Sequence, residues 1–149
     1  MFLLPLQFHQ ATIQDQDWVN KHYQQVNFRP SDLSQDYVGI ASWMNEPAGL
    51  GRLQPIDNHS WELGGMYVFE AFRKKGIAGR MVQHLLQQAP QGTTIYCLPF
   101  ELLAVFYKRY GFEELPAEEW SKVPEYIREK INWCNRTYPD AVLLLAQRR

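Results

Sequence analysis

The hydrophobic period changes once, sharply, in the middle of the chain. "WELGGMYVF" (61–69) has the aromatic and β-branched content of a strand. From Gly76 onward, Ile77, Met81, Val82, Leu85, Leu86 and Ala89 fall at helical spacing, until Pro90 and Gly92 end the run. The join is "RKKGIAGR" (73–80), a cluster of cations and small residues. A helix start leaves its first N–H groups without intrahelical partners and carries the positive end of the macrodipole. No Ser, Thr, Asp or Asn stands immediately before Gly76 to cap it. Gly76, Ala78 and Gly79 leave the backbone bare, so a phosphate can approach the amides. The other reading is an ordinary exposed basic turn. The segment spells neither a phosphate-binding G-x-x-x-x-G-K-[ST] loop nor the G-x-G-x-x-G of a dinucleotide fold.

Around this join the sequence predicts a mixed α/β domain. "FLLPLQF" (2–8) reads as a strand, and Ala11 to Gln25 as a helix with Ile13, Trp18, Val19 and Tyr23 on its apolar side. "YVGIASW" (37–43) is a strand, "NEPAGLG" a turn, and 51–56 the second arm of a hairpin. The glycine pair Gly64 and Gly65 marks a bulge or close approach within the next strand. "TTIYCL" is a buried strand, "ELLAVFYKRY" a helix stopped by Gly111, and "FEEL" a short strand. A helix over about 124–136, with Ile127, Ile131 and Cys134 on one face, precedes a last strand at 141–147. With 149 residues, 46% of them hydrophobic, residues 1–149 are expected to form a single domain.

Composition excludes several function classes. A formal net charge of -1 gives no general attraction to nucleic acid. Cys97 and Cys134 stand far apart without a C-x-x-C partner, and His9, His22, His59 and His84 lack metal-ligand spacing, so no metal is expected. Both cysteines read as buried free thiols. The N-terminal apolar stretch lacks a basic n-region and is interrupted by Pro5 and Gln7, and no stretch approaches the ~20 apolar residues of a membrane span. The expectation is a soluble, cytoplasmic protein.

Arg73, Gly76 and Ala78 spell Arg-x-x-Gly-x-Ala between strand and helix. This resembles the Q/R-x-x-G-x-G/A signature of the GNAT superfamily of N-acetyltransferases. A second segment, "LAVFYKRYGF" (103–112), is similar to the family's later motif, in which an alanine precedes a Phe/Leu-Tyr pair and a Gly-Phe. The resemblance runs from about Trp61 to Phe112. It implies the GNAT fold, a twisted, mostly antiparallel mixed sheet splayed centrally and flanked by helices. It also implies acetyl-CoA as cosubstrate and a small-molecule or peptide amine as acceptor.

Carried onto this sequence, the resemblance places the pyrophosphate on the stretch Arg73, Lys74, Lys75, Gly76, Ile77, Ala78, Gly79 and Arg80. Met66 and Val68 would pair their backbone with the pantetheine, and an amide near Val68 would meet the thioester oxyanion. Tyr107 is implied as general acid, since a phenol of pKa about 10 can protonate a departing thiolate. The residue pattern alone also accommodates it as an apolar helix member. Glu62, eleven residues before Arg73, is the candidate general base. A half-exposed strand glutamate is its other reading. Acidic lining from Glu62 and Glu101 implies a cationic acceptor. Glu101 stands where the family often has an asparagine that contacts the cofactor arm, which leaves that contact in doubt. The helix near 124–136 also departs from the short hairpin common in the family. Trp120, Tyr126 and Trp133 there are compatible with a roof over the acceptor, with packing on the sheet or with a homodimer face. The rival readings are a non-catalytic acyl-CoA-binding regulatory module and a protein acetyltransferase acting on lysines or N-termini.

Overall fold

The structure, a computed structural model, describes residues 4–149. Seven strands form one sheet in the order β1-β2-β3-β4-β5-β7-β6. They are β1 (Leu6–Gln10), β2 (Tyr37–Trp43), β3 (Glu46–Asp57), β4 (Ser60–Val68), β5 (Thr94–Cys97), β6 (Glu113–Glu114) and β7 (Leu145–Arg148). The helices are α1 (Gln16–Gln25), α2 (Ile77–Gln88), α3 (Glu101–Lys108) and α4 (Glu125–Thr137). The sheet is mostly antiparallel. Parallel pairing joins β4 to β5 over three residue pairs, from Ser60↔Thr94 to Glu62↔Tyr96. Among the described residues no helix is long and apolar enough to cross a membrane.

The chain divides into two compact units, one holding residues up to Gln54 with Leu63–Gln88, the other Pro55–Glu62 with Ala89–Arg149. In the first, β1 pairs with β2 and β2 with β3, all antiparallel. The β2–β3 hairpin closes through two residues only, Met44 and Asn45, at φ 50° and 71°. Two central residues with positive φ give a turn whose twist matches that of the strands. The second arm therefore starts at Glu46 rather than at 51, and Pro47, Gly49 and Gly51 lie inside β3. These residues read as a turn in the sequence, but Gly51 serves close packing. It is the register partner of Gly39. A Cβ at Gly51 would stand 2.7 Å from Met81 Cγ, 2.8 Å from Met66 Sδ and 3.0 Å from Leu85 Cδ1. The glycine pair brings α2 down onto the sheet, and with it the helix start.

α1 buries Val19 and Tyr23 completely against Val38, Ile40 and Leu50. Ile13, expected on that apolar side, is 58% exposed because Ile13–Asp15 form a 3-10 turn before the α-helix begins. The first strand begins at Leu6, and residues 2 and 3 of its predicted span lie outside those described.

In the second unit, Ile127, Ile131 and Cys134 of α4 pack with Tyr96, Val123, Val142 and Leu144. Trp120 joins this core and donates its Nε1–H to Leu115 O at 3.0 Å. The last strand starts later than predicted. Val142 keeps the β5–β7 register as an isolated bridge to Phe100, while Asn135 takes its two backbone groups, accepting from the N–H at 2.8 Å and donating to the carbonyl at 3.1 Å, and continuous pairing begins at Leu145.

Replacing Gly51 with Val should lower unfolding free energy by about 1–3 kcal/mol through overpacking beneath α2. Chemical denaturation should record this, with Gly92→Ala, whose site has no neighbour within 4 Å, as a milder comparison governed by its φ of 85°.

Candidate active site

The cofactor-binding candidates all lie in the first unit. β4 ends at Val68, and the Phe69 N–H turns to Ala48 O at 2.8 Å. A 3-10 turn over Glu70–Phe72 then leads to the basic segment. Lys74 and Gly76 both adopt left-handed backbone, with φ of 66° and 74°. No atom lies within 4 Å of a Cβ built at Gly76, so glycine is favoured there by backbone conformation and not by crowding. The Arg80 N–H donates to Gly76 O at 3.3 Å. The amides of Ile77, Ala78 and Gly79 therefore precede the first intrahelical bond. Ile77 and Gly79 are buried and anchor the turn, while Arg73, Lys74, Lys75 and Arg80 are exposed around it.

Two of these cations have partners within the unit. Arg73 donates from Nε to the Val68 carbonyl at 3.3 Å, and the Lys75 ammonium sits 4.8 Å from the centroid of the Trp43 ring. Met66 and Val68 are half-buried. Upstream of them, Gly65 has φ 60°, and a Cβ there would lie 2.7 Å from Tyr23 Oη and 2.8 Å from Arg52 Nε. The Tyr23 hydroxyl donates to Gly65 O at 2.8 Å. Arg52, 4.5 Å from the Tyr23 ring centroid, donates to Arg29 O at 2.9 Å and Ser31 Oγ at 2.6 Å. Burial drives the Tyr23 phenol far above its ordinary range, against the opposing pull of Arg52. A rigid buried cluster thus fixes the left-handed kink in β4.

The acid and base candidates lie in the second unit. Glu62 is 4% exposed, which overturns the picture of a half-exposed strand carboxylate. Its Oε2 accepts from Lys130 Nζ at 2.6 Å, and its Oε1 is buried without a hydrogen-bond partner. Tyr107 is 8% exposed on α3, with its ring edge-to-face against Phe112 and Phe106. Burial raises its phenol well above the usual range, and Cys97 adds to the rise. Cys97 is itself fully buried. Desolvation lifts its thiol strongly, the Glu62 charge pushes the same way, and Lys130 opposes. Cys97 follows Tyr96, the register partner of Glu62.

Residues 34–114, more than half of the chain, match the family model described as an acetyltransferase (GNAT) domain. The chain belongs to the GNAT acetyltransferases. Solved structures of this GNAT fold resemble it over nearly its full length. An N-acetylglutamate synthase from Neisseria gonorrhoeae, complexed with coenzyme A and L-arginine, gives a TM-score of 0.70 at 16% identity, covering 97% of this chain and 33% of the synthase chain. The chain thus spans about a third of that synthase's length. A GNAT acetyltransferase from Elizabethkingia anophelis with acetyl-CoA bound gives 0.65 at 17% identity, covering 97% and 99% of the two chains. Arabidopsis thaliana Naa50, in complex with the bisubstrate analogue CoA-Ac-MVNAL, gives 0.67 at 13%, covering 98% and 100%. At these identities the likeness speaks for the fold. No curated protein sequence matches the chain.

One residue of this GNAT chain escaped the sequence reading. Lys130 has no local signal, because its partner is 68 residues away. Its ammonium pairs with the Glu62 carboxylate, and Glu101 is exposed at the start of α3. Among the described residues no group of acidic, histidine and cysteine side chains is arranged to hold a metal.

Because burial keeps Tyr23 and Tyr107 protonated beyond the unfolded phenol value of about 10, the folded state binds more protons than the unfolded one above that pH. Stability is therefore fully present below about pH 10 and declines as pH rises through the phenol range. An alkaline titration followed by tyrosinate absorbance should show Tyr107→Phe superimposing on the parent up to about pH 11. A smaller rise of absorbance in the variant below that pH would contradict the burial of this phenol.

Proposed function

We propose that the protein is one N-acetyltransferase domain over residues 1–149 that moves the acetyl group of acetyl-CoA directly to a primary amine. The observation that carries this reading is the start of α2. There the Ile77, Ala78 and Gly79 amides precede the first intrahelical bond, amid exposed cations, in a chain of the GNAT family. Arg73 to Arg80 would hold the pyrophosphate by backbone N–H groups and the helix dipole, with Lys74, Lys75 and Arg80 as side-chain partners. Met66 and Val68 would pair with the pantetheine. Their stretch of β4 follows Glu62↔Tyr96, the last pair of the parallel register with β5. The coenzyme supplies an activated thioester.

The residues then divide the proton work. Glu62, acting through a water, takes a proton from the acceptor ammonium. The amine nitrogen attacks the thioester carbon, and an amide near Val68 meets the oxyanion. The carbon–sulfur bond breaks as Tyr107 gives its proton to the thiolate, and the phenolate regains one from the nitrogen, which sheds its second proton as the amide forms. Burial keeps the phenol in its donor form before transfer and makes the phenolate costly, so that returned proton is part of the step. The acceptor is a small-molecule amine or a peptide amine. Similar folds belong to an N-acetylglutamate synthase and to a protein complexed with a peptide-bearing bisubstrate analogue.

Calorimetric titration with acetyl-CoA should give saturable binding that Gly76→Glu abolishes. The open space at Gly76 lets that variant fold at a cost of about 1–2 kcal/mol for the left-handed backbone. Tyr107→Phe should keep the affinity and lower turnover by about 100-fold or more. Binding without turnover on any amine would favour a regulatory acyl-CoA-binding module, and no binding by the folded protein would remove the coenzyme altogether.

A further inference from the structure

Helix α4 stands where the sequence departs from the family resemblance, and it brings a cation to a carboxylate that the general-base reading needs. Glu62 is buried on β4, Lys130 reaches it at 2.6 Å, and the lysine side chain is itself only 25% exposed. Lys130 flanks the stripe of Ile127, Ile131 and Cys134 that seats α4 in its core, so its position along the helix is fixed by packing. The two carboxylate oxygens are then unequal. Oε2 is engaged by the ammonium, whereas Oε1 is buried without a partner. A buried acceptor left unpaired is costly, and it binds a proton donor strongly when one arrives.

We propose that Lys130 is a positioning residue for acetyl transfer, anchoring the Glu62 carboxylate through Oε2 and presenting Oε1 as the atom that receives the acceptor's proton. This rests on the reading of Glu62 as general base. The proton passes from the acceptor ammonium to a water and from that water to Oε1, leaving a neutral amine and a neutral carboxyl that later returns its proton to solvent. Several described groups face the pair. Cys97 on β5 feels both charges. Tyr96 is the register partner of Glu62, and its phenol in turn feels Asp57 and Arg148. Tyr126 on α4 has its ring centroid 6.0 Å from Lys130 Nζ. Among these described residues, Lys130 is the cation bonded to Glu62.

The test compares Lys130→Met, Lys130→Gln, Lys130→Arg, Glu62→Gln and the Glu62→Gln/Lys130→Met double variant. Each is assayed across pH with acetyl-CoA and a panel of glycine, L-glutamate, putrescine and the peptide Met-Val-Asn-Ala-Leu. In Lys130→Met and Lys130→Gln the acidic limb of kcat/KM should move to higher pH. Turnover near neutrality should fall about 10-fold or more, with KM for acetyl-CoA unchanged. Lys130→Arg should restore most of this, and Lys130→Met should add little to Glu62→Gln. Lower melting temperature with an unmoved limb and an unchanged kcat would reduce Lys130 to a structural ion pair and overturn the proposal alone. Full activity of Glu62→Gln, or no turnover by the parent on any amine, would instead overturn the general-base reading and the proposal with it. If Lys130→Met does not fold, Lys130→Gln decides between these outcomes.

Discussion

A buried charge must be paired, and in this protein that requirement links the two ends of the second unit. The Glu62 carboxylate lies 4% exposed on β4. Transferring an isolated carboxylate out of water costs far more than a domain's net stability. The counter-charge comes from α4, whose own placement depends on Ile127, Ile131 and Cys134 reaching the core around Tyr96 and Leu144. Hydrophobic packing thus locates the ammonium, and the ammonium permits the carboxylate. Removing apolar contacts from α4 would be felt as electrostatics at β4.

The first unit solves a different problem, how to leave backbone groups unsatisfied without unfolding the turn that carries them. Gly39 and Gly51 lie under Met81 and hold α2 against the sheet. Tyr23 and Arg52 hold the kink at Gly65. Between these two fixed points the chain from Val68 to Gly76 makes its left-handed steps at Lys74 and Gly76. Ile77 and Gly79 are buried, while the cations remain outside. The anion-attracting amides are presented by a frame whose rigidity is paid for elsewhere in the unit.

Much of this was legible in local sequence. The period change at Gly76 located α2, the β-branched run located β2, and the spacing of Ile127, Ile131 and Cys134 located α4 with its buried face. Two motifs in the right order identified the family. Legibility failed where tertiary contact overrides local meaning. Gly49 and Gly51 signal a turn in isolation, yet they lie in a strand because a helix and a neighbouring strand approach there. "AVLLLAQ" has strand content throughout, but only an isolated bridge, Phe100↔Val142, precedes the regular pairing that begins at Leu145. The burial of Glu62 was left open by the sequence, because nothing near it indicates a lysine 68 positions away. Ile13 matched the helical period but fell in the 3-10 turn, where the face rotates.

The two-residue connection at Met44 and Asn45 sets an order in time as well as in space. Closing it brings β2 and β3 together at almost no loop entropy, as the two residues between Asp57 and Ser60 do for β3 and β4, so by that term alone these neighbours pair before the distant ones. The parallel β4–β5 pairs and the Lys130–Glu62 contact each await the closure of much longer segments. On such a route the carboxylate enters the interior last, and until then it stays hydrated and harmless to folding. Late contacts of this kind leave refolding speed nearly untouched and act instead on the rate at which the native state opens.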